Sequence, residues 1–154
     1  MIKNFTVITQ NGYKVNKPLI HKIAGNLKTV LNVSIESLNV NFLSADSIKE
    51  INIRYLGHDY STDIITFNYS GDNTKFDGEI FISVADACEN SHKYNCSLDT
   101  ELLRLIIHGI LHLAGYDDHL KADKIRMKKK ENSLVSDLAF LIKGNILIYD
   151  SKNS

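Results

Sequence analysis

The stretch that most constrains the fold is "SLDTELLRLIIHGILHLAG", residues 97–115. Ser97 or Asp99 can open it as an N-cap and Gly115 closes it, so it reads as one long helix. It is apolar on most sides, and a helix of that kind must lie in the interior with other elements around it. A chain of 154 residues is long enough to build one such core and gives no reason to expect a second.

The flanking segments supply the wrapping. "IKNFTVIT" alternates Phe5 and Val7 with polar neighbours, as a strand does, and "KPLIHKIAGNLKTVLN" carries Leu19, Ile20, Ile23, Leu27, Val30 and Leu31 at helical spacing with Pro18 in its first turn. "SLNVNFLS" alternates Leu38, Val40 and Phe42 and predicts a second strand. Ser44 or Asp46 can cap a short helix after it. "TDIITFNYS" and "EIFISV" read as neighbouring strands joined by the polar loop "GDNTKFDG", and "ADACENSHKYN" as a helix. "KADKIRMKKKENSLVSDLAFL" is a last helix with Ile125, Leu134, Leu138 and Leu141 among its apolar positions. The tail "KGNILIYDSKNS" leaves two readings open, a short strand or a trailing end. The expected architecture is a single α+β domain over residues 1–142, a small mixed sheet packed with helices around the central helix, followed by a tail of open role at 143–154.

Composition narrows the function classes. Apolar residues make up 44% and charged residues 23%, as in an ordinary globular protein, and Lys plus Arg balances Asp plus Glu at 18 each. Any nucleic-acid contact must then rest on a local patch. Cys88 and Cys96 lack metal-ligand spacing and read as small buried hydrophobes. The N-terminus has no apolar signal core and no run approaches a membrane span, so the expectation is a cytoplasmic protein with no membrane partner.

The chemistry lies in "HGILHLAGYDDH", residues 108–119. His108 and His112 are four apart on the predicted helix, which puts their side chains on one face, about 40° apart and roughly 6 Å along the axis. Gly115 ends the helix and lets the chain swing back, so that Asp118 or His119 can supply a third ligand. Two imidazoles and one further ligand leave a coordination position open, the mark of a catalytic rather than a structural zinc site. In a His-Glu-x-x-His peptidase the residue after the first His is the general base. Here it is Gly109, which counts heavily against peptide hydrolysis and less against cleavage of an RNA phosphodiester.

The same segment resembles the signature of the YbeY family of bacterial endoribonucleases, His-Gly-x-Leu-His-Leu-x-Gly-Tyr-Asp-His. "YLGHDYSTDIITF" and "DGEIFIS" are similar to two further family segments, and the resemblance runs in order over about residues 1–140. It implies a zincin-like fold around the metal-ligand helix and a zinc-loaded enzyme, one Zn2+ per chain, that cleaves single-stranded RNA. It further implies a part in 16S rRNA 3′-end maturation and ribosome quality control, with ribosomal RNA and the small ribosomal subunit as partners. His108 and His112 match the first two family ligands. The ungapped register, which also keeps Met127 and Glu131 in line with a family Met and Glu, places Asp118 at the third, with His119 as the alternate. The catalytic set expected is therefore His108, His112 and Asp118. Leu56 stands where many members carry an Arg, and Arg54, two residues earlier, projects elsewhere on a helix.

Further residues are candidates for RNA contact. Arg104, one turn before His108, can hold a phosphate or serve as an ion-pair partner. His58 lies in a loop that the resemblance puts near the cleft, and Tyr116 can stack a base or pack after the Gly. Thr62 and Asp63 read as the start of a strand. Lys121, Lys124, Arg126, Lys128, Lys129 and Lys130 crowd one short segment, and Lys121, Lys124 and Lys128 are the expected phosphate contacts. The rival reading is a non-catalytic ribosome-assembly or RNA-binding factor whose metal is structural, supported by Leu56 and the altered third ligand.

Overall fold

Four helices begin on the same local device. Asn16, Ser44, Ser83 and Ser97 each accept, through a side-chain oxygen, a hydrogen bond from the backbone N–H three residues on, at 3.1, 3.2, 3.1 and 3.1 Å. Each thus satisfies a donor that the first helical turn would leave without a partner. In this computed structural model, which describes residues 1–143 and 145–151, the order is β1 (Phe5–Thr9), β2 (Tyr13–Val15), α1 (Lys17–Leu31), β3 (Ser34–Leu43) and α2 (Ala45–Ile51). A π-helical turn (Asn52–Leu56) precedes β4 (Ile64–Asn68), β5 (Lys75–Ser83), α3 (Val84–Lys93), α4 (Leu98–Leu113) and α5 (Lys121–Leu138). A 3-10 turn (Ala139–Lys143) and β6 (Leu147–Asp150) close the order. The α+β architecture is the one expected.

The main sheet has the order β1-β3-β5-β4, with β1 and β5 parallel to β3 and β4 antiparallel to β5 at the edge. One face carries Val7, Val40, Phe42, Ile80 and Ile82, all buried in one core with the apolar residues of α1 and α4. Ten of the sixteen residues of α4 are buried, so it is the interior helix that its composition demands.

Three local expectations are corrected. The segment "GDNTKFDG" is only partly loop, because β5 begins at Lys75 and pairs with the start of β3 at Ser34. Ile125 is 61% exposed rather than in the core. The buried positions of α5 are Met127, Glu131, Leu134, Val135 and Leu138, and two residues before Met127 a helix has turned about 200°, away from that stripe. A strand at Tyr13–Val15 joins the expected set. It pairs antiparallel with β6, so the strand reading of the tail holds for Leu147–Asp150, while Gly144 and residues 152–154 of that tail lie outside the described residues. Asp99, in the first turn of α4, accepts the N–H groups of Ile146 and Leu147 at 2.8 and 3.3 Å and ties this outlying pair to the central helix.

Candidate metal centre

α4 ends in a Schellman motif. Gly115, at φ +99°, donates its N–H to the His112 carbonyl at 3.1 Å, and Tyr116 donates to the Leu111 carbonyl at 3.0 Å. A side chain at Gly115 would also meet Asn73, with an added Cβ only 2.6 Å from its Nδ2. Tyr116 packs half-buried against the core, in keeping with the packing role this motif favours at that position. The reversal brings the following loop back over the last turn of the helix.

Three donor atoms meet there. His112 Nε2 lies 3.2 Å from His108 Nε2 and 3.4 Å from Asp118 Oδ2, and His108 Nε2 lies 3.8 Å from the same oxygen. A tetrahedral ion with bonds of 2.0–2.1 Å needs its ligand atoms about 3.3 Å apart, so the triangle fits one. The tautomers fit as well. His108 Nδ1 donates to Glu131 Oε2 at 2.9 Å, which leaves Nε2 as a lone pair facing the other two donors. His112 has its own backbone partner at Tyr116. Burial, then the neighbouring His108, holds the His112 pKa below its usual value and favours the neutral ring that binds a cation. Two imidazole lone pairs and a carboxylate converging on one point have no mutual donor to share; a cation relieves that arrangement. His108, His112 and Asp118 together can hold a metal ion.

His119 is placed differently. It is 85% exposed in its side chain and its Nε2 faces Asp117 Oδ1 at 3.5 Å. Asp117, Asp118 and His119 also lie close enough to share an ion, but Asp117 and His119 are exposed and only Asp118 belongs to both groups.

Glu131, buried on α5, is a residue whose role sequence reasoning missed. Burial pushes its carboxyl up, but the hydrogen bonds from His108 and Arg104 and the nearby Lys128 charge outweigh this and hold it below the usual carboxylate range. Its two oxygens are divided: Oε2 accepts from His108, while Oε1 accepts from Arg104 Nη1 at 3.0 Å and lies 3.6 Å from Lys128 Nζ. The sequence signal for it was the register that aligns Met127 and Glu131 with a Met and a Glu of the family the chain resembles, which gave it no role. Arg104 Nη1 is also 2.7 Å from Asn132 Oδ1, so the guanidinium sits in a protein network that borders the cleft.

Gly109 is buried where α4 crosses β5. A Cβ there would lie 2.8 Å from Ile80 Cδ1 and 3.1 Å from Cγ1 and Cγ2, so the position that carries a peptidase's base points into the core, away from the histidine face.

A cleft of about 740 Å³ runs from His108 and Asp118 along α4 to α3 and the start of β4. Arg104, Lys124 and Lys128 line it and Lys121 does not. His58 stacks on Tyr60 at 5.2 Å and borders a separate hollow with Leu56, Thr62 and Asn52. Asp63 and Asn90 were not singled out for the site by sequence, yet they line the far end of the main cleft with Glu101. Among the described residues no helix is long and apolar enough to cross a membrane.

Residues 3–139 match the family model described as Endoribonuclease YbeY. Proteins named Endoribonuclease YbeY from Chlorobium phaeobacteroides (strain DSM 266) and Amoebophilus asiaticus are 44% and 39% identical over 97 and 101 residues. These alignments cover 63% and 66% of this chain and 68% and 69% of theirs. One from Chlorobium limicola is 40% identical over 110 residues, covering 68% of this chain and 76% of its own. The solution structure of TM1509 from Thermotoga maritima superposes with a TM-score of 0.63 at 29% identity, over 87% of this chain and 88% of that one. With a family match that spans nearly the whole described chain, and a His-His-Asp cluster at the end of its buried helix, this protein belongs to the YbeY endoribonuclease family.

Proposed function

We propose that this protein is a metal-dependent endoribonuclease that cuts single-stranded RNA, with one zinc ion held by His108, His112 and Asp118. We place it in the cytoplasm, in 16S rRNA 3′-end maturation and ribosome quality control, with the small ribosomal subunit as its partner. The observation that carries the reading is the convergence of His108 Nε2, His112 Nε2 and Asp118 Oδ2 within 3.8 Å in a cleft that Arg104, Lys124 and Lys128 help to line. When bound, zinc supplies Lewis acidity that stabilises charge developing on a phosphoryl oxygen and eases deprotonation of water. The chain's own residues do the rest. Glu131 fixes the His108 tautomer and orientation, and Lys124 and Lys128 on the wall draw the phosphate backbone in. Asp118 lowers the net charge of the centre, and Gly109 leaves the histidine face without a peptidase base.

The test is cleavage of a single-stranded precursor fragment spanning the 16S rRNA 3′ end by zinc-loaded protein, with and without chelator. Loss of an outer partner of a metal ligand costs about 10- to 100-fold, so loss of a ligand is expected to cost at least about 100-fold. Asp118→Ala should therefore abolish cleavage and zinc retention, while His119→Ala stays near wild type. The opposite pattern makes His119 the ligand. Stoichiometric zinc with no cleavage, and RNA binding lost together with melting temperature on chelation, replaces this reading with a binding factor whose metal is structural.

A further inference from the structure

The far end of the cleft carries a second set of polar groups that the metal centre does not use. Asn90, on α3, places its Nδ2 between two carboxylates, donating to Asp63 Oδ2 at 3.0 Å and to Glu101 Oε2 at 3.3 Å. Only the amide nitrogen can face two acceptors, so the carbonyl end of Asn90 is left to accept from elsewhere. Glu101 is 3% exposed, and its other oxygen, Oε1, is buried without a hydrogen-bond partner; the nearest cation, Arg104 Nε, stands 3.9 Å away. Burial, the largest influence on it, pushes the Glu101 carboxyl above its ordinary value. A buried acceptor without a donor is costly and calls for an occupant.

This end of the cleft thus sets two carboxylates on its floor with Asn90 Nδ2 as the donor between them, and its walls are apolar, where Ile64, Leu105 and Met127 line it, with the exposed ring of Tyr94 at the rim. Glu101 precedes His108 by seven residues on one helix, which sets the two about 10 Å apart along the axis. That distance is comparable to the reach of one nucleotide from its phosphate to the far edge of its base. A nucleotide whose phosphate lies at the metal centre therefore brings its base to the floor.

Resting on the nuclease reading above, we infer that Asp63, Asn90 and Glu101 form a base-recognition subsite that selects guanine in the RNA strand. Guanine presents N1–H and the N2 amino group side by side, a donor edge that matches a floor of acceptors. Uracil presents one N–H between two carbonyl oxygens, which would face carboxylates. Adenine and cytosine each offer one amino group beside a ring nitrogen acceptor. The lysines of α5 serve the phosphates, and the acidic floor reads the base.

The experiment uses full-length zinc-loaded protein and a series of short single-stranded oligonucleotides that differ at one position, guanine, inosine, adenine, cytosine or uracil. Both cleavage (kcat/KM) and equilibrium binding by anisotropy are measured. Inosine lacks only the N2 amino group, so guanine is expected to exceed it by about tenfold, with uracil lowest. Asp63→Asn, at a half-buried position, turns one floor acceptor into a mixed group and should bring guanine and uracil within about twofold of each other, with zinc content unchanged. Glu101→Gln should narrow the guanine-to-inosine ratio in the same direction. Equal cleavage and binding of all five overturns the subsite and leaves the nuclease reading standing. Binding that favours guanine, with no cleavage of any oligonucleotide, supports the subsite and overturns the nuclease reading. A preference that survives both substitutions overturns the assignment to these residues.

Discussion

Glu131 shows how one side chain can set the behaviour of a metal centre without touching the ion. Its Oε2 accepts a hydrogen bond from His108 Nδ1 at 2.9 Å and its Oε1 accepts one from Arg104 Nη1 at 3.0 Å, so it orients a ligand and neutralises a half-buried guanidinium at once. Replacing it leaves the His108 ring free to rotate and to change tautomer. Glu131→Ala is expected to weaken zinc binding about 100-fold, and Glu131→Gln, which keeps an acceptor but not the charge, about tenfold. Competition against a chromophoric chelator measures both, and equal affinities in the two variants and wild type would dismiss the orienting role. The histidine pair was legible in the sequence because helix periodicity is local, whereas the helix-ending glycine left Asp118 and His119 both open and only the register of the resemblance favoured Asp118. Glu131, Asn90 and Glu101 were not, because each acts on a partner 11 to 27 residues away, across an interface that periodicity does not describe.

At the scale of elements, α4 carries the site because it is wedged against β5. The crossing is so close at Gly109 that an added Cβ would lie 2.8 Å from Ile80, a wholly buried residue. Gly109→Glu would place a charged side chain in that contact. Overpacking costs about 1–3 kcal/mol and an unpaired buried charge several more, so the variant should lose more than about 3 kcal/mol in urea denaturation. It should gain no peptidase activity, since the new carboxylate lies on the sheet side of the helix. The strands and helices themselves read well from the sequence where capping serines and alternation are strong, as at Ser97 and along Leu38, Val40 and Phe42. Ile125 misled because an apolar residue in a helical run does not reveal which face the core takes. That face is set by Met127, Leu134 and Leu138 meeting the rest of the fold.

At the scale of the whole molecule, the two-stranded pair β2–β6 joins the start of the chain to its end. Asp99 caps this clasp from the central helix, and Ile146 beside it is wholly buried. Deleting residues 144–154 removes that isoleucine, worth about 1.5–3 kcal/mol in burial, and strips Asp99 of two N–H donors. We expect a loss of about 2–4 kcal/mol, read as a lower melting temperature, with zinc binding retained because the ligand triangle lies at the opposite end of α4. Unchanged melting would make the clasp ornamental. The pairing was not legible in advance, since a three-residue strand whose partner lies more than 130 positions away leaves no local pattern. By itself the sequence determined what repeats over a few residues: the buried central helix, its caps, the α+β alternation, and two histidines on one face. Only the tertiary structure decided what depends on distance in space rather than along the chain. It turned Asp118 rather than His119 toward the histidines, brought Glu131 to the back of His108, and gathered Asp63, Asn90 and Glu101 into one floor. Side chains meet there through the packing of separate elements, and no spacing along the chain encodes that packing.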